Sequence, residues 1–308
     1  MPNVSIVIVS YNCRSYLLAC IRSILSQKDI NCEIIVADNN SSDGTVEALA
    51  AEYPSVKVIR NGSNSGFSAA NNQGIAAAQS NFILLLNPDT ELMQERTLCE
   101  MFSYMQANPL TGILAPCLLN TDGTYQNSFW HFPRVSDILL EIFYLHHKTL
   151  KTLPAEPATI EAASGAALCF KKQLPGQIGG FDESLFWMED VDFCYRAKKA
   201  GFNTVFHPGI KIIHHGGKSS EGQYAITIPN QVMSKLKFFK KHGSNLNYCA
   251  ALCLTFIFVF SRLCVFGILS FTGKAVWRGK ASAYAKTLKE FFRYLFLGRN
   301  GIIGNTDF

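Results

Sequence analysis

Residues 82–92 read FILLLNPDTEL. The first five positions are all apolar, and Asn87, Pro88 and Asp89 follow them at once. A run that is apolar at successive positions is typical of a strand buried on both faces of a sheet, and such strands lie in its centre. Proline restricts the backbone where it stands. The sequence therefore predicts a central strand whose tip is rigid and carries a carboxylate.

Strand-like and helical patterns alternate through the first half of the chain. The predicted strands are residues 4–10, 33–38, 56–60 and 82–86, and the helical patterns between them cover about 14–27, 43–52 and 67–79. Short runs of Val, Ile and Leu between helices indicate an α/β fold with a mostly parallel sheet. The sequence contains neither GxGxxG after the first strand nor GxxxxGK[ST], so a dinucleotide site or a P-loop is not supported.

The predicted strands all end in polar residues, in the segments SYN, ADNNSSDG, RNGSNSG and NPD. Ligands of open α/β sheets bind at the carboxyl ends of the strands. Asp38 is placed to accept hydrogen bonds from a ribose hydroxyl or a base N–H, whereas Asp43 more simply caps the following helix. Asp89 is either part of a plain turn or, beside a diphosphate, an oxygen ligand for Mg²⁺ or Mn²⁺.

Two further segments carry titratable side chains. Glu189, Asp190 and Asp192 stand at a predicted helix start, where acidic residues stabilise the helix dipole by ~0.3–1 kcal/mol. The preceding aromatic pair, Phe186 and Trp187, indicates a second interpretation, because desolvation raises a carboxyl pKa and suits a general base. Residues 214–217 read HHGG after an apolar run and are candidate metal ligands, without the second cluster that structural zinc requires.

The charge of the chain is unevenly distributed. Residues 230–308 contain twelve Lys and Arg against two acidic residues, whereas the rest of the chain has sixteen basic and twenty-one acidic residues. The basic part also holds the most apolar stretch, residues 248–271, which is long enough to span a bilayer. We therefore expect an anionic membrane surface, and no nucleic acid, as the partner of this region.

Arg262 lies near the middle of the apolar stretch, where a charge costs roughly 2.5–3.5 kcal/mol on insertion scales. A hairpin embedded in the membrane, or a helix lying in the interface, therefore fits as well as a span, and a buried helix pair is the remaining alternative. We expect the basic residues before the stretch to face the anionic surface. They are Lys235, Lys237, Lys240 and Lys241.

The remaining sequence signals favour a cytosolic protein. The N-terminal run VSIVIVS has no basic region before it and predicts a strand rather than a signal peptide. The ten cysteines show no CxxC spacing, and several lie in apolar runs, which is typical of reduced thiols.

Taken together, the segments resemble those of family 2 glycosyltransferases of the GT-A fold, and among them the bacterial rhamnosyltransferase-like branch. The matching segments, in order, are VSIVIVSYN, VADNNSSDGT, RNGSNSGFSAANNQGI, ILLLNPDTEL, EAASGAALCF, IGGFDESLFWMEDVDFCYRAKKAGF and HHGGKSS. The resemblance implies a Rossmann-like, mostly parallel sheet with helices on both faces. It covers about residues 3–220. We therefore predict a catalytic domain of residues 1–229, followed by basic, apolar helices in residues 230–308 that associate with a membrane.

The resemblance also implies the donor site. The donor would be a nucleoside diphosphate sugar, dTDP-rhamnose first and a UDP-sugar as the alternative. The segment NPD stands where the family has a metal-binding DxD motif, with Asn87 replacing the first aspartate. Asp89 is therefore the implied ligand of Mg²⁺ or Mn²⁺, with His214 as second ligand and His215 as the alternative. The implied donor-binding residues are Ser10, Tyr11, Asn12, Asp38, Asn64, Gly66, Phe67, Asn87 and Asp89.

By the same resemblance Asp190 is the catalytic base of an inverting transfer, and Trp187 and Glu189 contact the acceptor. The basic, apolar C-terminal region favours a polyprenyl-diphosphate-linked saccharide as acceptor, as in O-antigen or capsule assembly. The implied location is the cytoplasmic face of the bacterial inner membrane, with the protein peripheral or monotopic. The alternative functions are a non-catalytic membrane-bound scaffold that keeps the fold and, ranked last, a nucleotidyltransferase, which usually needs a basic, glycine-rich loop where this chain has SYNCRSY. A second copy of the chain, forming a homo-oligomer, is a further candidate partner.

Overall fold

Alternating strands and helices build the first half of the protein, as the sequence predicts. The structure is a computed structural model and describes residues 3–145, 153–216 and 223–297. The first elements are β1 (Val4–Ser10), α1 (Arg14–Leu25), β2 (Cys32–Asp38), α2 (Thr45–Glu52), β3 (Lys57–Arg60), α3 (Phe67–Ala77) and β4 (Phe82–Leu86).

The second half is less regular. Its elements are β5 (Thr90–Leu92), α4 (Thr97–Ala107), β6 (Thr111–Leu119), β7 (Phe129–Trp130), α5 (Val135–Ile142), β8 (Ala158–Ile160), β9 (Ala162–Ala163), β10 (Ala167–Lys171), α6 (Gln173–Ile178), α7 (Glu189–Lys199), β11 (Asn203–His214), α8 (Tyr224–His242), α9 (Asn245–Ser270) and α10 (Ala275–Leu297).

One large sheet organises these elements, with the strand order β3-β2-β1-β4-β10-β6-β11-β5 and with β8 paired to β11. Strands β3, β2, β1 and β4 are parallel, as expected. The pairing then becomes mixed, because β10 is antiparallel to both of its neighbours. It starts at the carboxyl-end edge of β4 and runs back across the sheet, so its first residues lie at the edge where ligands bind.

The central strands are buried on both faces, which explains their continuous apolar sequences. Ile6 and Ile8 of β1 point to the face covered by α1 and α4. Val7, one position between them, points to the opposite face, against α3 and α7. This alternation follows from the two-residue period of a strand. The α/β fold with helices on both faces is therefore confirmed.

The pairing of β5 with β11 positions the site. Strand β5 begins directly after the segment NPD, and it runs antiparallel to the end of β11. In this register His214 lies opposite Thr90, the residue after Asp89. The backbone N–H of His215 donates to the carbonyl oxygen of Asp89 at 2.9 Å. Two segments separated by more than a hundred residues are thereby held side by side.

Helix α8 packs against the domain built on the large sheet. It includes residue 229, the predicted domain boundary, which therefore falls inside a helix. Phe238 is buried in the core under α7. The hydroxyl of Ser234 accepts a hydrogen bond from the N–H of Phe186 at 3.1 Å. Three of the lysines expected to face a membrane are instead held by other parts of the chain: Lys235 by Glu141 at 2.5 Å, Lys237 by the carbonyl of Ser184 at 2.6 Å and Lys241 by Asp182 at 2.6 Å.

Helices α9 and α10 follow as a hairpin that packs on α5 and α8. The shared core of these four helices contains Ile138, Met233, Leu236, Phe239, Ala251, Phe291 and Tyr294. Helix α9 is long and apolar enough to cross a membrane by length and composition alone, and few side chains of its apolar stretch are buried in the protein.

Arg262 explains how α9 carries a charge in its apolar middle. The residue is buried, and its guanidinium donates to the backbone carbonyls of Glu141 and Ile142 at the end of α5. Its Cζ atom also lies 3.4 Å from the centre of the Tyr144 ring. A cation at a helix C-terminus satisfies free carbonyls and the helix dipole. Arg262 therefore joins α9 to α5 and is not exposed to a lipid phase.

Candidate active site

A cavity of about 1750 Å³ opens at the carboxyl ends of β1, β2 and β4. The loops after these strands supply Tyr11, Asn12, Asn39, Asn87 and Asp89 to its lining, and the start of α3 adds Asn64, Gly66 and Phe67. Glu189, Asp190 and His214 line the same cavity from the second half of the chain, together with Trp187. The structure thus brings together most of the predicted site residues.

Ser10 and Asp38 do not belong to the cavity lining. Both are buried, and the carboxylate of Asp38 accepts hydrogen bonds from the N–H and the hydroxyl of Ser41 at 2.9 and 2.6 Å. The Ser10 hydroxyl lies 3.4 Å from the sulfur of Cys13. Their contacts shape the loops, and Asn39 takes the position on the cavity wall that the sequence suggested for Asp38.

Asp43 lies one residue before the N-cap position of α2, which Gly44 occupies without a side-chain cap hydrogen bond. The carboxylate of Asp43 accepts hydrogen bonds from the N–H of Thr45 at 3.2 Å and from its hydroxyl at 2.5 Å, so it holds the first residue of α2 without being its N-cap. It also accepts from the backbone N–H of Arg14 at 2.9 Å. The loops after β1 and β2 are therefore tied together beside the cavity.

Asp89 and His214 form a close pair at the tip of β4. The Oδ1 atom of Asp89 lies 3.3 Å from Nε2 of His214, and Nδ2 of Asn87 lies 3.4 Å from the same nitrogen. Burial alone would raise the pKa of Asp89, but the neighbouring His214 outweighs it and holds this pKa below its usual value. The separation of 3.3 Å between Oδ1 of Asp89 and Nε2 of His214 is favourable when a proton or a metal cation lies between these two atoms.

The pair fits a divalent metal ion as part of a site that a substrate completes. Two adjacent ligands of an octahedral Mg²⁺ at about 2.1 Å stand about 3 Å apart, close to the observed separation. Across the described ranges, no three His, Cys, Asp or Glu side chains cluster as metal ligands. Mg²⁺ often takes one or two protein ligands and fills its shell with water and phosphate oxygens. The residues present therefore fit a metal held jointly with a diphosphate.

The two histidines at the end of β11 have different partners. Nε2 of His215 lies 2.8 Å from Oε1 of Glu91, and its ring contacts Tyr16. His214 faces Asp89 instead, so the geometry favours His214 as the second ligand. Its other ring nitrogen, Nδ1, lies 2.7 Å from Oε1 of Gln126. Sequence reasoning missed Gln126, since no motif or spacing relates it to residue 214.

Two carboxylates face the cavity from the start of α7. Asp190 accepts hydrogen bonds from the N–H of Gly165 at 2.9 Å and of Val191 at 2.7 Å. Glu189 accepts one from the N–H of Met188 at 2.9 Å. Burial raises the pKa of both carboxyls above the ordinary values, and the charge of Asp190 adds to the effect for Glu189. A carboxylate of raised basicity on a cavity wall suits a general base.

Asp192, the third acidic residue of this segment, lies outside the cavity and has a structural role. Asp192 is fully buried and is surrounded by Arg196 at 2.8 Å, Lys241 at 2.9 Å and His242 at 2.6 Å. Burial opposes ionisation, but these partners, His242 first, lower the pKa of Asp192 to about 2. The sequence pattern of three carboxylates therefore separates into a pair at the cavity and one residue that ties α7 to α8.

Two consecutive residues connect the acidic pair with the tip of β4. Gly165 donates to Asp190, and the carbonyl oxygen of Ala166 accepts a hydrogen bond from the N–H of Asn87 at 2.9 Å. Both residues precede β10, which pairs directly with β4. The base candidate and the metal-binding candidate are thus fixed relative to each other by short backbone contacts.

The far end of the cavity was not predicted. It is lined by Trp130, His131, Pro133, Asp137, Leu140, Glu141, Gln231 and Lys235, from β7, α5 and α8. Helix α5 therefore takes part in the cavity wall and also packs against α9. The sequence of α5 carries no motif that indicates which of its faces turns toward the cavity.

A cavity at the carboxyl ends of the strands, with a carboxylate pair on its wall, is typical of an α/β enzyme. A sequence model described as Glycosyl transferase family 2 matches residues 5–171, more than half of the chain. The protein belongs to this family and is a glycosyltransferase.

Individual relatives agree with the assignment. The chain is 27% identical over 237 residues to the N-acetylglucosaminyl-diphospho-decaprenol L-rhamnosyltransferase of Mycobacterium tuberculosis, covering 70% of this chain and 76% of that protein. It is 25% identical over 264 residues to the low-salt glycan biosynthesis hexosyltransferase Agl10 of Haloferax volcanii, covering 80% of each.

A solved structure shares the fold. The mannosyltransferase PcManGT from Pyrobaculum calidifontis, determined in complex with GDP-Man and Mn²⁺, matches 97% of this chain and 88% of its own with a TM-score of 0.59. Sequence identity is 16%. The similarity establishes the GT-A fold predicted from the sequence.

Proposed function

We propose that this chain is a metal-dependent, inverting hexosyltransferase. It moves a sugar, with L-rhamnose from dTDP-rhamnose as first choice, to a hydroxyl of a polyprenyl-diphosphate-linked saccharide. The observation that carries the proposal is the position of Asp190 on the wall of the cavity that also holds Asp89 and His214. A family 2 transferase with a UDP-sugar donor remains the alternative, since the base-binding end offers asparagine and backbone groups common to several nucleotides.

The reaction follows from the acidic pair. Asp190 takes the proton of the acceptor hydroxyl while that oxygen forms a bond to C1 of the sugar. The bond between C1 and the diphosphate oxygen breaks, and its electron pair leaves with the nucleoside diphosphate. Attack opposite the leaving group inverts the anomeric centre, so no covalent sugar–protein intermediate is needed. The N–H groups of Gly165 and Val191 hold the carboxylate of Asp190 in place.

The leaving diphosphate requires positive charge. Among the described residues of the cavity lining, the Lys and Arg side chains are Arg14 and Lys235, and Lys235 pairs with Glu141. Asp89 and His214 would hold Mg²⁺ or Mn²⁺ there, and the ion would stabilise the negative charge of the leaving group. The mannosyltransferase that shares the fold was solved with GDP-Man and Mn²⁺, which supports the use of a divalent ion.

A named relative and the apolar helix near the cavity support a lipid-linked acceptor. The Mycobacterium tuberculosis relative is named for a diphospho-decaprenol substrate. The far end of the cavity is bounded by α5, whose other side joins the apolar helix α9. We therefore place the protein at the cytoplasmic face of a bacterial inner membrane, as a peripheral or monotopic protein held by α9 and α10.

A donor screen followed by transfer assays tests the proposal. Thermal unfolding is measured with UDP, dTDP and GDP, each with and without Mn²⁺, because a ligand at 100 times its Kd stabilises by ~2.7 kcal/mol. We expect one nucleotide to stabilise the protein more strongly when Mn²⁺ is present. Transfer of the matching sugar to a polyprenyl-diphosphate-linked acceptor is then followed by release of the nucleoside diphosphate.

Asp89→Ala and His214→Ala provide the metal test. Each variant is expected to lose the part of nucleotide affinity that Mn²⁺ adds, as measured by calorimetric titration. His215→Ala is the matched control, since His215 pairs with Glu91, and it should keep this enhancement. Equal enhancement in wild type and in both site variants would refute the metal site. Absence of transfer with every donor sugar would support the non-catalytic scaffold.

A further inference from the structure

Gln126 contacts the candidate metal site from the hairpin that follows β6. Its Oε1 atom lies 2.7 Å from Nδ1 of His214. Its own backbone N–H is fixed by the carbonyl oxygen of Leu118 at 2.9 Å. We infer that Gln126 is a positioning residue: it holds the His214 ring with the proton on Nδ1, so that Nε2 presents its lone pair beside Asp89 to a divalent cation.

The direction of the hydrogen bond to His214 is set by a chain of side chains along the hairpin. The chain starts at the carboxylate of Asp122, which accepts from the hydroxyl of Thr124 at 2.6 Å. The oxygen of Thr124 then accepts from Nδ2 of Asn120 at 2.9 Å. The carbonyl oxygen of Asn120 accepts from Nε2 of Gln126 at 3.2 Å.

An ionised carboxylate only accepts hydrogen bonds, so it gives every bond in this chain the same direction. The amide nitrogen of Gln126 is used as a donor to Asn120, and its carbonyl oxygen is left to face His214. Nδ1 of His214 must therefore carry the proton and donate it. A neutral imidazole has one N–H, so Nε2 then has a free lone pair.

The free lone pair points to the place where a metal ion fits. Nε2 lies 3.3 Å from Oδ1 of Asp89, and two acceptors at this distance are compatible when a cation lies between them. Histidine ligands commonly donate their second N–H to an outer partner, which fixes the ring and its tautomer. Gln126 occupies that place for His214.

The absence of a side chain at Gly216 allows the amide of Gln126 to pack against the backbone at this position. A Cβ atom added at Gly216 would lie 2.7 Å from Nε2 of Gln126, which is closer than such contacts occur. The φ angle of Gly216 is +50°, a conformation that residues with a side chain adopt at a cost. The backbone after His214 and the amide of Gln126 are therefore packed against each other without space for a larger residue.

The inference rests on the proposed metal-dependent function, but its first test does not need catalysis. Full-length protein labelled with ¹⁵N-histidine is studied by long-range ¹H–¹⁵N correlation spectra without metal, at a pH where imidazole is neutral. His214→Ala identifies the signals of His214. We expect Nδ1 of His214 to be protonated in wild type. A proton on Nε2 instead would overturn the inference whether or not the protein transfers sugar.

The second test measures Mn²⁺ binding by electron paramagnetic resonance, with Mn²⁺ alone and with the nucleoside diphosphate that binds. Gln126→Leu removes both hydrogen bonds, and we expect the Nδ1 tautomer to be lost and Mn²⁺ affinity to fall by about 10–100-fold. Gln126→Glu keeps an acceptor for Nδ1 and should retain the tautomer and more of the affinity. Gln27→Leu is the matched control, because Gln27 also uses both ends of its amide, far from the site, on Gln94 and Leu98.

The outcomes separate this inference from the proposed function. Unchanged tautomer and Mn²⁺ affinity in Gln126→Leu would overturn the positioning role. If Gln126→Leu does not fold, Gly216→Ala, which displaces the amide, is expected to give the same loss, and its absence there would count equally against the role. Loss of Mn²⁺ binding in the variants of a protein that transfers no sugar would contradict the proposed function and leave the inference standing.

Discussion

Trp187 combines a bulky side chain with a backbone φ angle of +76°. Residues other than glycine adopt this region at a cost of about 1–3 kcal/mol, and such strain persists where the surroundings enforce it. The residue lies on the cavity wall, two positions before Glu189. Its left-handed backbone turns the chain sharply into α7, so the acidic pair begins the helix while facing the cavity.

Asp190 is the single side chain whose replacement should affect catalysis most. Asp190→Asn keeps the shape of the side chain and removes its ability to accept a proton. We expect transfer to fall by about 10²–10⁴-fold, the usual contribution of a general base, while nucleotide binding stays near wild type. Rates are measured as nucleoside diphosphate release, and affinity by calorimetry. Asp29→Asn is the control, since Asp29 forms an exposed pair with Arg96; transfer by Asp190→Asn within tenfold of wild type would refute the role.

The role of Asp190 as a base implies that the transfer rate depends on pH. A base acts only when ionised, and burial raises the pKa of Asp190 above the ordinary 3.8 of an aspartate. Activity should therefore fall as the pH decreases through this raised value, while a carboxyl of ordinary pKa would still be ionised there. The acid limb of kcat/KM against pH measures it, as an apparent value for the Glu189–Asp190 pair. An acid limb near 3.8 would contradict the environment assigned to Asp190.

At the scale of elements, the sequence predicted the strands and helices of the first half better than the contacts between distant segments. Apolar runs and polar strand ends indicated β1 to β4 and the edge where ligands bind. The β5–β11 pairing that brings His214 to Asp89 was not predictable, since register between distant strands leaves no local signal. Gln126 was missed for the same reason, because its function depends on a hairpin folding back on β11.

The basic pattern of α8 was misread for a related reason. Lysines in a row before an apolar stretch indicate a membrane surface when the partners of each lysine are unknown. Here Lys235, Lys237 and Lys241 bind groups of the catalytic domain. Lys240 lies over the ring of Tyr294. Charge composition therefore located the C-terminal helical region, while tertiary contacts determined which of its charges are free.

The buried charge cluster between α7 and α8 leads to a prediction of stability. Asp192→Asn leaves Arg196, Lys241 and His242 without their shared carboxylate, and breaking a buried ion pair costs about 3–5 kcal/mol. The pKa of Asp192 is lowered to about 2 from 3.8, so its contribution is present above 3.8 and is lost as the pH falls toward 2. Urea unfolding should therefore show a large difference between wild type and variant at neutral pH and a small one near pH 2.

A control locates the effect in the cluster. Asp182→Asn removes another partner of Lys241. Asp182 is more exposed than Asp192, so its replacement should lower the free energy of unfolding by less. If Asp192→Asn unfolds at the same urea concentration as wild type at neutral pH, the cluster does not join α7 to α8 energetically. A difference that stays constant down to pH 2 would show that the loss arises from packing and not from charge.

At the scale of the whole molecule, the structure joins a catalytic sheet domain to a helical hairpin through α5 and α8. The hairpin covers Ile138, Met233, Leu236 and Phe239, so deleting α9 and α10 would expose a hydrophobic core. Truncation after His242 would therefore remove the membrane contact and destabilise the fold at the same time, so the two effects could not be told apart. Substitutions on the outer surface of α9 separate the two effects.

The last prediction uses that surface. Ile257, Phe260 and Ile268 of α9 are exposed by 49, 51 and 71%. If α9 and the exposed cations Lys274 and Arg278 hold the protein on a membrane, replacing all three apolar residues with serine should abolish sedimentation with anionic vesicles. Wild type should bind and be partly released by salt, because each basic residue near the surface contributes about 1 kcal/mol that ions screen.

The matched control replaces Leu25 and Leu110 with serine. Both are exposed, by 52 and 71%, and lie outside the C-terminal helices, at the end of α1 and before β6. The control variant should keep vesicle binding. The α9 variant should keep nucleotide binding and transfer to a short soluble acceptor. It should, however, lose turnover of the lipid-linked acceptor. If the α9 variant sediments like wild type, or processes the lipid-linked acceptor equally well, the exposed face of α9 has another use, such as contact with a second copy of the chain.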